Sequence, residues 1–131
     1  MVSTTSKLTY TELQANLEQH FCSEQYFKIT PFTSTIMTEG IKYFCDKCSC
    51  YWLLEFMLFN GLSKLSKQYN FLLITVNVNK RGTCHITVKE DSNEELPLLL
   101  NKKVRDLCQL IPVGEYKFYL IENVLLLPSE Y

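Results

Sequence analysis

The sequence lacks the long apolar runs that mark membrane spans and secretion signals. No window reaches the roughly 18 uninterrupted apolar residues of a spanning helix. Residues 1–7 contain no apolar segment of the kind found in signal peptides. We therefore expect a cytoplasmic protein with no membrane association, in which the six cysteines are reduced thiols rather than a disulfide framework.

The sequence also lacks an excess of charge of either sign. The formal net charge is −1, and the basic groups at 80–81 and 102–105 are offset by acids at 90–91 and 94–95. Without a strong positive field, nucleic-acid binding is not expected of the chain as a whole. A basic strip that forms only in the folded chain stays open, because net charge does not describe how charges are distributed.

Catalytic and cofactor-binding motifs are missing as well. The two histidines, His20 and His85, stand in no motif that pairs a nucleophile with a base. Cys84 and His85 are neighbours on a predicted strand, so their side chains point to opposite faces. The sequence therefore predicts no catalytic residues and no cofactor, and a protein that is not an enzyme.

What is present fits one compact domain. The chain has 131 residues, of which 47% are apolar, enough to bury a single core. We expect one domain over residues 1–131, with residues 1–7 as a flexible N-terminus.

The first half of the chain has helical periodicity. Residues 8–21 are predicted to form a helix that begins with a capping box made by Thr9 and Glu12. Residues 41–59 are predicted to form one long central helix, with Thr38 as its N-cap.

The second half has the alternation typical of strands. A hairpin is predicted at 71–78 and 84–88, after a short strand at 33–36. Further strands are predicted at the following ranges: 98–107, 116–121 and 124–127. The predicted fold is α+β, with N-terminal helices packed on one face of an antiparallel sheet of about four to five strands.

Three closely spaced cysteines, Cys45, Cys48 and Cys50, resemble a metal-ligating group. On a continuous helix Cys45 and Cys48 share a face, but Cys50 points well away from both. We therefore interpret them as buried structural thiols and predict no metal site.

The central helix is apolar on two sides. One side contains Trp52 and is predicted to face the sheet, so that Trp52→Ala would cost roughly 3–5 kcal/mol. The opposite side supplies the candidate partner-binding residues: Tyr43, Tyr51, Leu54 and Met57. That side either binds another protein or a second copy of the chain, or is core covered by the first helix.

Two motifs carry a family resemblance. The sequence TEGIKYF at 38–44, followed by YWLLE at 51–55, and the ending VLLLPSEY at 124–131 resemble a family of small bacterial domains of unknown function. Members of that family are often found with plasmids and phages. The resemblance implies an accessory role in a mobile genetic element and supplies no catalytic residues.

The leading hypothesis is a non-enzymatic protein-binding protein that blocks a host defence complex, such as a CRISPR effector, by occupying its surface. The alternative is a nucleic-acid or nucleotide-binding domain that stacks bases on an aromatic sheet, using the segment at 116–119. A third hypothesis is a small hydrolase or nuclease that acts on a defence signal.

Overall fold

The computed structural model of the chain describes residues 9–21, 23–90, 95–105 and 110–131. The helical elements are α1 Tyr10–Leu17, α2 Glu39–Cys48, α3 Tyr51–Met57, a π-helical turn Leu58–Leu62, α4 Ser63–Gln68 and a 3₁₀ turn Pro128–Glu130. The strands are β1 Tyr26–Lys28, β2 Ile36–Thr38, β3 Phe71–Val78, β4 Cys84–Lys89, β5 Leu100–Val104, β6 Gly114–Ile121 and β7 Val124–Leu126. Within the described part of the chain, no helix is long and apolar enough to cross a membrane.

The strands form one sheet of seven in the order β1-β2-β7-β6-β3-β4-β5. The expected four to five strands are therefore too few, and the sheet is mixed, because β2 runs parallel to β7. The two strands β1 and β2 have three residues each, too few to show a period in the sequence. The hairpin of β3 and β4 is confirmed, with Val78 paired to Cys84 beside the turn.

The predicted start of α1 is confirmed, but its predicted end is wrong. Thr9 accepts a hydrogen bond from the backbone N–H of Glu12, and the Glu12 side chain bonds back to Thr9. The helix ends at Leu17, four residues before the predicted end, and Phe21 is 73% exposed. The apolar period therefore extends beyond the helix itself.

The prediction of one long central helix is wrong. Ser49 adopts the left-handed conformation, with φ 50° and ψ 48°, and ends α2. The backbone N–H of Cys50 then bonds the carbonyl of Cys45 at 3.1 Å, and α3 begins at Tyr51. Because the break interrupts the helical period, the faces of α3 do not continue those of α2.

The hydrophobic core lies between the helices and one face of the sheet. Phe44 of α2 packs against Tyr116 and Phe118 of β6, with ring centroids 5.3 Å apart in both pairs. Alternate residues of the central strands are buried with them: Leu72, Ile74, Val76 and Val78 of β3, and Cys84, Ile86 and Val88 of β4. The remaining residues of these strands form the opposite face of the sheet.

The two motifs with the family resemblance meet in space. The buried carboxylate of Glu130 accepts hydrogen bonds from the Thr38 hydroxyl at 2.6 Å and from the Gly40 N–H at 3.1 Å, at the N-terminus of α2. A Cβ at Gly40 would lie 2.5 Å from Leu127 Cδ1 and 2.6 Å from Glu130 Oε1. A side chain at position 40 would therefore require the Leu127 and Glu130 side chains to move away from the start of α2.

Candidate functional site

The four candidate partner-binding residues separate into two pairs. Leu54 and Met57 are each 1% exposed and belong to the hydrophobic core. Neither side chain therefore lies on the surface. For these two residues, the alternative in which this side of the helix is core holds. Tyr43 and Tyr51 are half-buried, with part of each ring at the surface.

Tyr43 is held by contacts within the chain. Its hydroxyl accepts a hydrogen bond from Asn16 Nδ2 at 2.9 Å. Lys47 Nζ lies 5.6 Å from the ring centroid, and the His20 ring lies at 5.3 Å. The ring therefore helps to join α2 to α1 and to the segment that follows α1.

Tyr51 is held in the same way by Asp46. Its hydroxyl donates a hydrogen bond to Asp46, whose other oxygen pairs with Lys42 Nζ at 2.9 Å. The hydrogen bond from Tyr51 and the contact with Lys42 hold the pKa of Asp46 below its ordinary value. Asp46 is thus charged at neutral pH, and it ties the start of α3 to α2.

The three cysteines are closer together than a continuous helix would allow. Cys45, Cys48 and Cys50 are buried, and Cys45 Sγ donates to the Cys50 carbonyl at 4.0 Å. The hydrogen bonds of Cys45 and Cys48 to the Cys50 thiol, together with burial, raise the pKa of Cys50 far above its ordinary value. The argument that Cys50 points away from the other two is therefore wrong.

These thiols do not form a metal site in the described residues, among which no group of three or more His, Cys, Asp or Glu side chains is arranged to hold a metal ion. Buried thiols behave as small apolar groups, which fits the place of all three in the core. Cys84 is different, because it is disulfide-bonded. The expectation of six reduced thiols is therefore wrong at this position.

An aromatic surface lies on the outer side of α3. Trp52 and Phe56 are half-buried, Phe59 is 57% exposed, and the spacing of the three places them on one face of the helical segment. Phe32, from the loop before β2, is 81% exposed, with its ring centroid 6.4 Å from that of Phe59. We call these four residues the α3 aromatic surface.

The helical segment is kinked directly after Phe59, where the backbone of Asn60 and Gly61 is not helical. Asn60 Nδ2 donates to the Phe56 carbonyl at 2.7 Å, which satisfies a backbone group that the turn leaves open. Gly61 has a φ of 135°, a conformation that side chains rarely adopt.

The face of the sheet opposite the helical core is the second candidate surface. Its mostly apolar half contains Phe71, Leu73, Lys89, Tyr119, Ile121, Val124 and Leu126, and its polar half contains Thr75, Asn77, His85, Thr87, Asn101, Lys103, Glu115 and Lys117. We call this surface the open sheet face. Tyr116 and Phe118, two aromatics of the predicted base-stacking segment, are each 1% exposed and lie on the other face.

Three aromatic rings cluster on the open sheet face. Phe71 and Tyr119 lie on the neighbouring strands β3 and β6, with ring centroids 5.0 Å apart. Tyr131 meets both rings edge-on, at 6.0 and 5.6 Å, and is 77% exposed. The cluster is thus an accessible platform at one end of the face.

Sequence reasoning missed both surfaces for identifiable reasons. A helix that continues through Ser49, as the sequence predicts, places Trp52 on the side that faces the core. Phe71 was assigned to the hairpin without a surface role, although its place in the alternation opposite Leu72 was a usable signal. Phe32 follows Pro31 in a loop, and no periodic signal marks it.

The helices and the seven-stranded sheet define a mixed α+β protein. Residues 11–131 match the model of a family of unknown function, DUF6876, and the chain therefore belongs to that family. No curated protein and no solved structure shows a significant match to the chain.

Proposed function

We propose that the chain is a non-enzymatic protein-binding module, and that it binds its partner through the α3 aromatic surface. The observation that supports this most is the contact between Phe32 and Phe59, two rings that are 81% and 57% exposed. Adjacent exposed aromatic rings are costly in water and typical of interfaces, where Trp, Tyr and Phe supply much of the binding energy.

The α3 aromatic surface combines partly packed rings with exposed rings, as protein-binding sites do. Trp52 and Phe56 are partly packed against the core, so they are rigid and lose little entropy on binding. The exposed pair of Phe32 and Phe59 would insert into apolar depressions of the partner. The proposal requires no enclosed cavity for a small substrate.

The biological role that we propose follows the resemblance of the TEGIKYF and VLLLPSEY motifs to domains found with plasmids and phages. The chain would be an accessory protein of a mobile genetic element, and its partner a host defence complex such as a CRISPR effector. Occupation of the effector's surface needs no catalytic group on this chain.

The test compares two double variants in quantitative affinity capture from host lysate. Phe32→Ser with Phe59→Ser removes the exposed pair, and we expect it to weaken capture of the partner at least about tenfold. Phe21→Ser with Tyr26→Ser is the matched control, because both rings are exposed and lie outside the α3 aromatic surface. Both variants should melt near the parent, since exposed substitutions change stability by only about 0.5 kcal/mol.

Equal loss of capture by both variants, or no loss by either, would contradict this assignment of the surface. Light scattering on the parent separates a second copy of the chain from a foreign partner. A parent dimer that the Phe32→Ser, Phe59→Ser variant dissociates would identify the surface as a self-association interface.

A further inference from the structure

The open sheet face carries both aromatic rings and charged side chains. The aromatic cluster of Phe71, Tyr119 and Tyr131 lies at one end. Toward the other end the register places Lys117 beside Thr75, and His85 beside Lys103. The same register places Glu115 beside Asn77 in the hairpin half and Lys89 beside Leu73 in the aromatic half, so both halves carry basic side chains and Glu115 is the carboxylate among the strand residues of the hairpin half.

The basic end of the face opens into a shallow cavity beyond the hairpin. The cavity has a volume of about 380 Å³ and is lined by Asn79, Arg81, Thr83, Lys103 and Arg105. Asn79 Oδ1 accepts the backbone N–H groups of Arg81 and Thr83 at 2.9 and 3.1 Å. This leaves the Asn79 amide nitrogen as a further donor next to the cations.

The three cations of this cavity are available to a ligand. The ion pairs of the described residues are Lys42 with Asp46 and Lys117 with Glu115, the latter at 3.9 Å. Among the residues that the structure describes, Arg81, Lys103 and Arg105 form no ion pair. Three unpaired cations around one cavity favour an anion with several oxygens, such as a phosphate.

Carboxylates border the opposite, aromatic end. Glu122 lies in the turn between β6 and β7, where its N–H bonds the Asn70 carbonyl at 2.9 Å. Glu90 follows β4 and lines a shallow depression together with Phe71. A bound polyanion would therefore place its phosphates toward the hairpin, and uncharged flat groups toward the aromatic cluster.

We infer that the open sheet face binds single-stranded nucleic acid, with bases stacked on Phe71, Tyr119 and Tyr131 and phosphates held by Lys117, Lys103, Arg81 and Arg105. Tyr119 lies four positions after Glu115 on β6, which is about 14 Å along a strand. A few nucleotides span that distance. Aromatic platforms beside a basic groove are the usual means by which sheets bind single strands without sequence preference.

The test is fluorescence anisotropy with labelled ten-residue oligothymidylate and oligouridylate, which distinguish DNA from RNA. We expect the parent to bind at least one of them at 50 mM salt, with an affinity that falls as salt rises. Phe71→Leu with Tyr119→Leu keeps the apolar packing and removes two rings, and it should weaken binding about tenfold or more.

A second variant tests the phosphate contacts. Lys103→Gln with Arg105→Gln should reduce the slope of log affinity against log salt by about 1.4, since each phosphate contact on a single strand contributes about 0.7. Lys64→Gln with Lys67→Gln on α4 is the matched control, with the same change of charge on two exposed lysines. The control should bind as the parent does.

The inference is overturned if the parent binds neither oligonucleotide at low salt, or if the α4 control loses as much affinity as the Lys103→Gln, Arg105→Gln variant. It is also overturned if Phe71→Leu with Tyr119→Leu releases a captured protein, because the face would then be a protein interface. The Phe32→Ser, Phe59→Ser variant should keep full oligonucleotide binding, so this inference and the proposed function fail separately.

Discussion

Glu130 joins the C-terminal segment to the start of α2 through a buried carboxylate. Besides the Thr38 hydroxyl and the Gly40 N–H, it accepts the backbone N–H of Leu127 at 2.9 Å. Three donors thus converge on one charged side chain that is 8% exposed. The positive end of the α2 dipole favours a carboxylate at this position.

We expect Glu130→Gln to lower the free energy of unfolding by about 1–3 kcal/mol. The amide is the same size, but one oxygen becomes an NH₂ group that faces a donor, and the charge is lost. Urea denaturation of the parent and the variant measures the difference. The exposed Glu18→Gln is the control and should unfold with the parent. A Glu130→Gln variant as stable as the control would show that the buried carboxylate is not needed for docking.

At the scale of elements, the break between α2 and α3 decides which residues are at the surface. The hairpin could be predicted from the sequence because Phe71–Val78 alternates cleanly and the turn contains Gly82. The break could not, because Ser49 is neither glycine nor proline and both flanking cysteines are apolar enough to continue a helical pattern. Leu54, a predicted surface residue, is therefore buried, whereas Trp52, predicted to face the core, packs against the core but is only half-buried.

The direction in which one substitution changes the stability tests whether the helix is broken at Ser49. At a left-handed position glycine removes a strain of about 1 kcal/mol, so we expect Ser49→Gly to raise the melting temperature by several degrees. In a continuous helix the same change would lower stability by up to about 1 kcal/mol. Lys47→Gly, at an exposed position within α2, is the matched control and should destabilise. A lower melting temperature for Ser49→Gly would contradict the break.

At the scale of the whole molecule, the core separates two surfaces of different chemistry. The α3 aromatic surface is formed by a helix and a loop and has rings as its main feature. The open sheet face adds charged side chains to its rings, with a basic cavity beyond the hairpin that Arg81 lines and Glu122 in the turn at the other end. One chain could therefore contact a protein and a nucleic acid together, an arrangement suited to a ribonucleoprotein target.

The central claim is that Trp52 and its neighbours form the partner-binding surface, and Trp52 is the only tryptophan in the chain. Incorporation of 5-fluorotryptophan gives one ¹⁹F resonance, which can be recorded with and without the captured partner. We predict that the resonance shifts or broadens when the partner is added, and that it does not change in the Phe32→Ser, Phe59→Ser variant. A partner that binds the parent and leaves the Trp52 resonance unchanged would contradict the claim.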